Sequence, residues 1–172
     1  MSSLSAAHNV IRMSSRIHLL LLLAVIACSC ATQFGTRVDR LSGLLITNHG
    51  LSYRSIGVYM GGVKFRGKEV GYGKEMTLHL SGVKGFVQVG EQVFPGSSLD
   101  VFDEKGNAVF SQKDLFSRYT LLGADRTRAA EILINLTVGR PMEPGREYLC
   151  RVRIWDKRGN GEIVCEKKFR VQ

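Results

Sequence analysis

The sequence predicts an all-β protein, an antiparallel sandwich of about seven to nine short strands that follows a cleaved N-terminal segment. Three observations predict it. Beyond residue 40 no amphipathic helical pattern of ten residues or more occurs. Short runs rich in β-branched and aromatic residues recur instead, punctuated by Gly, Pro, Asn and Asp. All 19 glycines lie beyond residue 30, where they make up about 13% of the chain, near twice ordinary usage, which suits many tight turns. The whole chain has 172 residues, of which 44% are hydrophobic and 23% charged, and this excludes collagen-like, coiled-coil and largely disordered classes.

The first 30 residues contain no Asp, Glu, Gly or Pro. Arg12 and Arg16 precede an apolar run over 17–27, broken only by His18. At about 1.5 Å rise per residue such a run falls well short of a hydrocarbon core of about 30 Å. A basic stretch and then a short apolar one is the pattern of an export signal. The run ends in Val25-Ile26-Ala27-Cys28, which resembles the lipobox of bacterial lipoproteins. That resemblance implies cleavage before Cys28, diacylglycerol on its thiol and an acyl chain on its freed amine. Cys30 is the alternative lipidated residue, and cleavage after Ala31 would give a plain secreted protein. Two or three acyl chains hold a protein firmly on a membrane. The expected organisation is a lipoprotein signal peptide over 1–27, a tether over 28–40 and a sandwich over 41–172, placed in the cell envelope.

Strands are expected at 44–47, 52–60, 76–80, 85–89, 98–102, 108–111, 130–138, 148–155 and 162–171, with one helical turn at 113–118. In the run 130–138, Ile132, Ile134, Leu136 and Val138 alternate with Glu131, Leu133, Asn135 and Thr137, a half-buried strand. Two hairpins echo one another: Pro95-Gly96 leads to a strand and the turn 103–107, and Pro144-Gly145 leads to a strand and the turn 156–160. The strand number and spacing suggest an immunoglobulin-like sandwich, though the tyrosine and tryptophan hallmarks of antibody domains are not assignable from the sequence. The run 136–148 resembles the entry to a late strand in periplasmic immunoglobulin-like modules, a likeness over about 40 residues in the manner of that fold.

The last hairpin is the best determined. Tyr148, Cys150, Val152 and Ile154 share one face, and Ile163, Cys165, Phe169 and Val171 share the corresponding face of the next strand. A register in which paired positions sum to 315 sets Cys150 opposite Cys165 and Val152 opposite Ile163, and it brings the apolar faces together. In an oxidising compartment Cys150 and Cys165 then form a cross-strand disulfide, or remain as two buried thiols one register step apart. Lys167 falls on the inward phase, so its stem is expected along the core margin with the ammonium in water.

Candidates for chemistry are few. Residues 62–68 match a phosphate-binding loop except at the last position, where Glu69 would repel phosphate; a glycine-rich link between strands is the better reading. Asp100, Asp103 and Asn107, with Asp156 and Asn160, offer oxygens to a calcium ion, but Asp and Asn are expected in turns without one. His49 and His79 have no nucleophile elbow beside them. No catalytic residue and no cofactor is expected. Lys and Arg number 24 against 15 acids. Only Arg12 and Arg16 precede residue 30, which leaves 22 against 15, a net +7. The bases within 146–158 and 167–170 alternate with acids, as on a solvated sheet face, and export argues against a nucleic-acid partner. The sequence therefore points to a lipid-anchored envelope protein, a non-catalytic binding or accessory module for an envelope protein or glycan. A calcium-dependent ligand-binding sandwich is the alternative.

Overall fold

Period-two alternation buries one face only when the chain is extended, and extended chain dominates the structure. A computed structural model describes residues 34–172, so the lipobox and the apolar run before it lie outside the described residues. The strands are β1 (Phe34–Asp39), β2 (Leu44–His49), β3 (Ser55–Met60), β4 (Val63–Lys64), β5 (Glu69–Val70), β6 (Glu75–Ser81) and β7 (Gln88–Val89). They continue as β8 (Gln92–Val93), β9 (Pro95–Phe102), β10 (Ala108–Gln112), β11 (Ala124–Asp125), β12 (Glu131–Thr137), β13 (Glu147–Asp156) and β14 (Glu162–Val171). Two single-turn helices, α1 (Tyr119–Leu122) and α2 (Arg126–Ala129), flank β11.

Two antiparallel sheets face each other. The larger runs β1-β2-β14-β13-β9-β10, and β5 pairs in parallel with the end of β14. The smaller runs β12-β6-β3-β4, and a minor sheet β11-β8-β7 lies outside both. Leu44, Ile46, Leu99, Val101, Val152, Ile154, Ile163 and Phe169 from the larger sheet share one core with Val58, Met76, Leu78, Leu80, Ile132, Ile134 and Leu136 from the smaller. This is the expected antiparallel sandwich.

The boundaries differ from the expectation in instructive places. The residues expected as a tether over 28–40 include β1, because Val38 and its neighbours complete the edge of the sheet beside β2. Pro95-Gly96 does not turn the chain; it opens β9, where proline needs no inward N–H and Gly96 lies under the Trp155 ring. Pro144-Gly145 does turn it, with Gly145 at φ 83°. The helical turn expected at 113–118 forms directly after that span, as α1 over Tyr119–Leu122.

A hallmark that the sequence did not reveal is present at Tyr148. Its hydroxyl accepts the backbone N–H of Glu143 at 2.8 Å while its ring packs 6.0 Å from Phe169. A tyrosine near the start of a late strand, bonded a few residues upstream and two residues before a cysteine, is the tyrosine corner of immunoglobulin-like sandwiches. Tyr148→Phe is expected to cost about 1 kcal/mol, since it leaves the Glu143 N–H without its partner and the packing intact. A chemical-denaturation midpoint that is unchanged with an unchanged slope would show that the bond contributes nothing.

The last hairpin forms as expected in its faces but not in its register. Paired positions sum to 317: Val152 faces Cys165, Cys150 faces Lys167 and Ile154 faces Ile163. The shift of two residues preserves every inward side chain, which is why alternation alone could not detect it. Its cause is the loop. Asp156 folds inward, its carboxylate accepting Arg158 N at 3.0 Å and Val87 N at 2.6 Å, while its own N–H donates to Gly161 O at 2.9 Å, so the turn takes four residues, 157–160, beyond the pair Trp155 and Glu162.

Cys150 and Cys165 are consequently diagonal rather than opposite, and both are free, buried thiols. The expected disulfide is not formed. Diagonal positions lie roughly 7–8 Å apart, beyond the usual span of a bridge. Burial pushes the Cys150 thiol up to about 12 and Cys165 higher still, so neither is a reactive nucleophile at neutral pH.

Lys167 corrects a second expectation. The side chain is on the inward phase, but its ammonium is not in water: the residue is 4% exposed. Nζ donates to the carbonyls of Ser42 and Gly67, the latter at 2.8 Å, and sits 5.2 Å from the centre of the Phe65 ring. The loops after β1 and β4 thus close over the end of β14 around one buried cation.

Candidate functional site

The sandwich interior is filled. Its cavity, lined by Leu44, Val58, Met76, Cys150, Val152 and Lys167 among others, measures about 30 Å³, room for one or two waters. Recognition of anything larger falls to the outside, and the two outer faces differ in kind.

The outer face of the smaller sheet is mostly polar, but Leu133 of β12 stands 59% exposed on it and the Tyr59 ring lies 6.1 Å from His79. Glu131, Asn135 and Thr137 of β12 stand beside Thr77 and His79 of β6, and His79 Nε2 lies 3.1 Å from Glu131 Oε2. The outer face of the larger sheet is not. Cross-strand pairing sets Phe102, Leu149 and Lys168 in one row, and Asp100, Arg151, Glu166 and Leu45 in the next. Ser98, Arg153, Val164 and Thr47 form a third row, and Gly96, Trp155, Glu162 and His49 a fourth. Leu45, Phe102, Leu149, Trp155 and Val164 are only half-buried here.

Alternation of charge along β13 and β14 makes the arginines lie flat. Arg151 Nε donates to Glu166 Oε1 at 2.6 Å and its guanidinium covers the Phe102 ring at 4.8 Å. Arg153 repeats the arrangement one row on, with Glu162 Oε2 at 2.7 Å and the Trp155 ring at 5.3 Å. The hydrogen bond to Glu162 raises the Arg153 pKa further. Arg170 pairs with Glu147 at 2.7 Å, and that bond holds the Glu147 carboxyl below its ordinary value. The Trp155 ring lies so close over Gly96 that a Cβ there would come within 2.2 Å of it; no other residue is tolerated beneath that ring without moving it.

Two depressions of about 520 and 460 Å³ open on this sheet. They share Glu147, Leu149 and Lys168, so they form one trough across the end of β13 and β14. Lys68 and Arg170 wall one end and Arg151 and Glu104 the other. Of the basic runs expected on a solvated face, Arg151, Arg153, Lys168 and Arg170 lie on this one, and Glu166, Glu162 and Glu147 pair with its arginines, whereas Lys167 is buried. What the sequence did not show is the aromatic floor under Arg151, because Phe102 belongs to a different strand.

The remaining candidates are dispersed. Asp103 spends its carboxylate inside its own turn, accepting Lys105 N at 2.9 Å, Asn107 N at 2.8 Å and Asn107 Nδ2 at 3.0 Å. Those bonds hold its pKa down. Asp100 stands apart on the sheet face, accepting the Ser111 hydroxyl. Asp156 is buried against Val87 and Arg158, far in function from Asn160, whose carbonyl lies 3.1 Å from His49 Nδ1. Among the described residues no three His, Cys, Asp or Glu side chains converge as a metal ion requires. Of the calcium set, Asp103 and Asn107 bond each other within one turn and Asp100 bonds Ser111 on the sheet face.

Fold and face together define an all-β antiparallel sandwich with one amphiphilic, arginine-rich sheet surface. No protein-family model and no curated protein sequence matches the chain. Among solved structures it is similar to chicken MD-1 complexed with lipid IVa, at 12% identity and a TM-score of 0.37, over 81% of this chain and 98% of that one. A likeness at that level carries no function from one protein to the other.

Proposed function

We propose that the protein is a lipid-anchored, non-catalytic module of the cell envelope that binds a protein partner through the outer face of its larger sheet. The anchor rests on Arg12, Arg16 and the apolar run ending at Ala27-Cys28. The observation that carries the binding role is the contrast between the two outer faces. The smaller sheet sets one exposed leucine, Leu133, among polar side chains, and the larger sets two arginines on two aromatic rings among half-buried aliphatic side chains. Arginine, Trp and Phe are the residues enriched where proteins dock, whereas acids balanced against bases disfavour a polyanion. A glycan is the weaker reading. Sugars stack on free aromatic faces, and Trp155 already has Gly96 and the Arg153 guanidinium against its ring.

Both halves are testable. Alkyne-palmitate labelling of the protein is expected, and its loss in Cys28→Ala; a full-length chain without label at Cys28 or Cys30 sinks the anchor. For the face, a photo-crosslinking residue at Val164 is expected to trap one defined partner in intact cells, and Arg151→Glu to abolish the adduct. The same crosslinker at Thr77, on the outer face of the smaller sheet, is expected to trap nothing. Equal adducts from both faces, or none from Val164, would overturn the assignment.

A further inference from the structure

Leu121 and Leu122, at the end of α1, are 87% and 80% exposed, more than any other large apolar side chain among the described residues. The rest of the turn is held down, which leaves the pair in solvent. Tyr119 packs edge-on against Phe116 at 5.9 Å. Lys157 Nζ donates to Phe116 O at 2.9 Å and Thr120 Oγ1 at 2.7 Å, tying α1 to the loop between β13 and β14. Val87 is also exposed at this end, against Gly159 of the same loop.

Three arginines stand on the neighbouring residues. Arg118 lies over the Tyr119 ring at 4.6 Å, and Arg128 lines a depression shared with Arg118 and Tyr119. Arg158 lies over Phe94 at 4.6 Å, and Phe94 abuts Gly123, the residue after Leu122. The acids nearby are mostly engaged. Asp114 pairs with Lys157 at 2.7 Å, and Asp125 caps α2 by accepting Thr127 N and Arg128 N. Glu91, in the turn between β7 and β8, stands exposed.

The topology supplies a second, independent observation. β1 enters the sheet with Phe34 opposite His49, and His49 is opposite Glu162 and against Asn160. The described chain therefore begins at the end of the sandwich that bears the loop 156–161 and, through Lys157, α1. Five residues separate Cys28 from Phe34, a reach of at most about 20 Å. On the anchor reading, on which this inference in part rests, that end faces the bilayer.

We infer that the tip formed by Leu121 and Leu122 is a second membrane contact. The leucines enter the acyl boundary of an anionic bilayer while Arg118 and Arg158 meet its phosphates. Apolar side chains flanked by arginine suit the interface, where a cation near an anionic surface contributes about 1 kcal/mol.

The test reads the tip alone. Full-length Leu122→Trp protein is mixed with vesicles of phosphatidylglycerol and acyl-brominated phosphatidylcholine, with the wild type, whose single tryptophan is Trp155, as baseline. Blue-shifted, bromine-quenched emission above that baseline is expected. Adding Arg118→Gln or Arg158→Gln is expected to lower the bound-to-free ratio of the tip about fivefold each. Quenching that is absent while the protein still floats with the vesicles overturns the tip and leaves the anchor standing. Quenching by a Leu122→Trp chain that keeps Cys28 and Cys30 yet carries no acyl label on either does the reverse. Equal quenching in pure phosphatidylcholine overturns the anionic surface, and a concentration-dependent blue shift without vesicles replaces it with a second copy of the chain.

Discussion

Lys167→Ala is expected to lower the melting temperature by roughly 10 °C, from a loss of about 3 kcal/mol in a domain of this size. Three contributions set the figure. The stem is nearly inaccessible, so its removal opens a void beside Leu44 and Val152, which already line a small cavity with it. The carbonyls of Ser42 and Gly67 lose their shared donor, and each buried orphan costs about 1–3 kcal/mol. Against this, the variant no longer buries a charge. Lys167→Met, which keeps the stem, is expected to lose less than half as much. The charge leaves its own signature in pH. Burial, then the neighbouring Lys68 charge, lowers the Lys167 pKa from its ordinary 10.5, opposed by Asp39. The unfolded chain thus holds this proton more tightly than the folded one. The stability tied to its release is fully present above 10.5 and is lost as pH falls through the lower folded value. The melting temperature of the wild type, minus that of Lys167→Met, is therefore expected to rise as pH climbs toward 10.5. A difference that stays flat over that window would mean the ammonium is not buried as described.

Asp156→Ala is expected to cost nearly as much, about 2–3 kcal/mol, and to act on a different part of the molecule. One carboxylate oxygen accepts Val87 N and the other accepts Arg158 N, bonds of the charge-assisted kind, worth about 1.5–3 kcal/mol each before the cost of burying the carboxylate is set against them. Gly159 has no side chain because a Cβ there would meet the Asp156 carboxylate at 2.6 Å. Losing the anchor frees the segment at Val87 from the loop 156–161, so amide exchange at Val87 and Arg158 is expected to accelerate far more than at core positions such as Ile154. Asp156→Asn keeps one acceptor and is expected to retain part of the stability. Exchange that rises uniformly across β13 and β14 would show a general destabilisation in place of a local release.

The outer sheet face was partly legible in the chain. Glu147, Arg151, Arg153, Glu162, Glu166 and Arg170 alternate with apolar residues, so their common outward phase follows from a period of two, while their pairing waited on the register. The stacking of Arg151 on Phe102 joins strands about 50 residues apart, which no local pattern records, whereas Arg153 and Trp155, two residues apart on β13, share the outward phase. The tip was not legible at all. Leu121 and Leu122 follow one another, which fits no periodic face. Their exposure depends on Lys157, some 35 residues away, holding the turn by its carbonyl and hydroxyl.

The chain by itself determined which side chains face inward on β12, β13 and β14, because alternation fixes phase as soon as one face must be buried. It also determined that Asp and Gly close the turns, because few residues make those local bonds and dihedrals. The tertiary structure decided the register of the last hairpin, since a shift of two residues leaves every phase unchanged and only the inward turn of Asp156 selects between the alternatives. It decided also that Cys150 and Cys165 stay apart and that Lys167 is buried. A lysine on an inward phase goes to water unless distant backbone offers acceptors, and here Ser42 and Gly67, from two loops brought together only by the folded sheet, offer them.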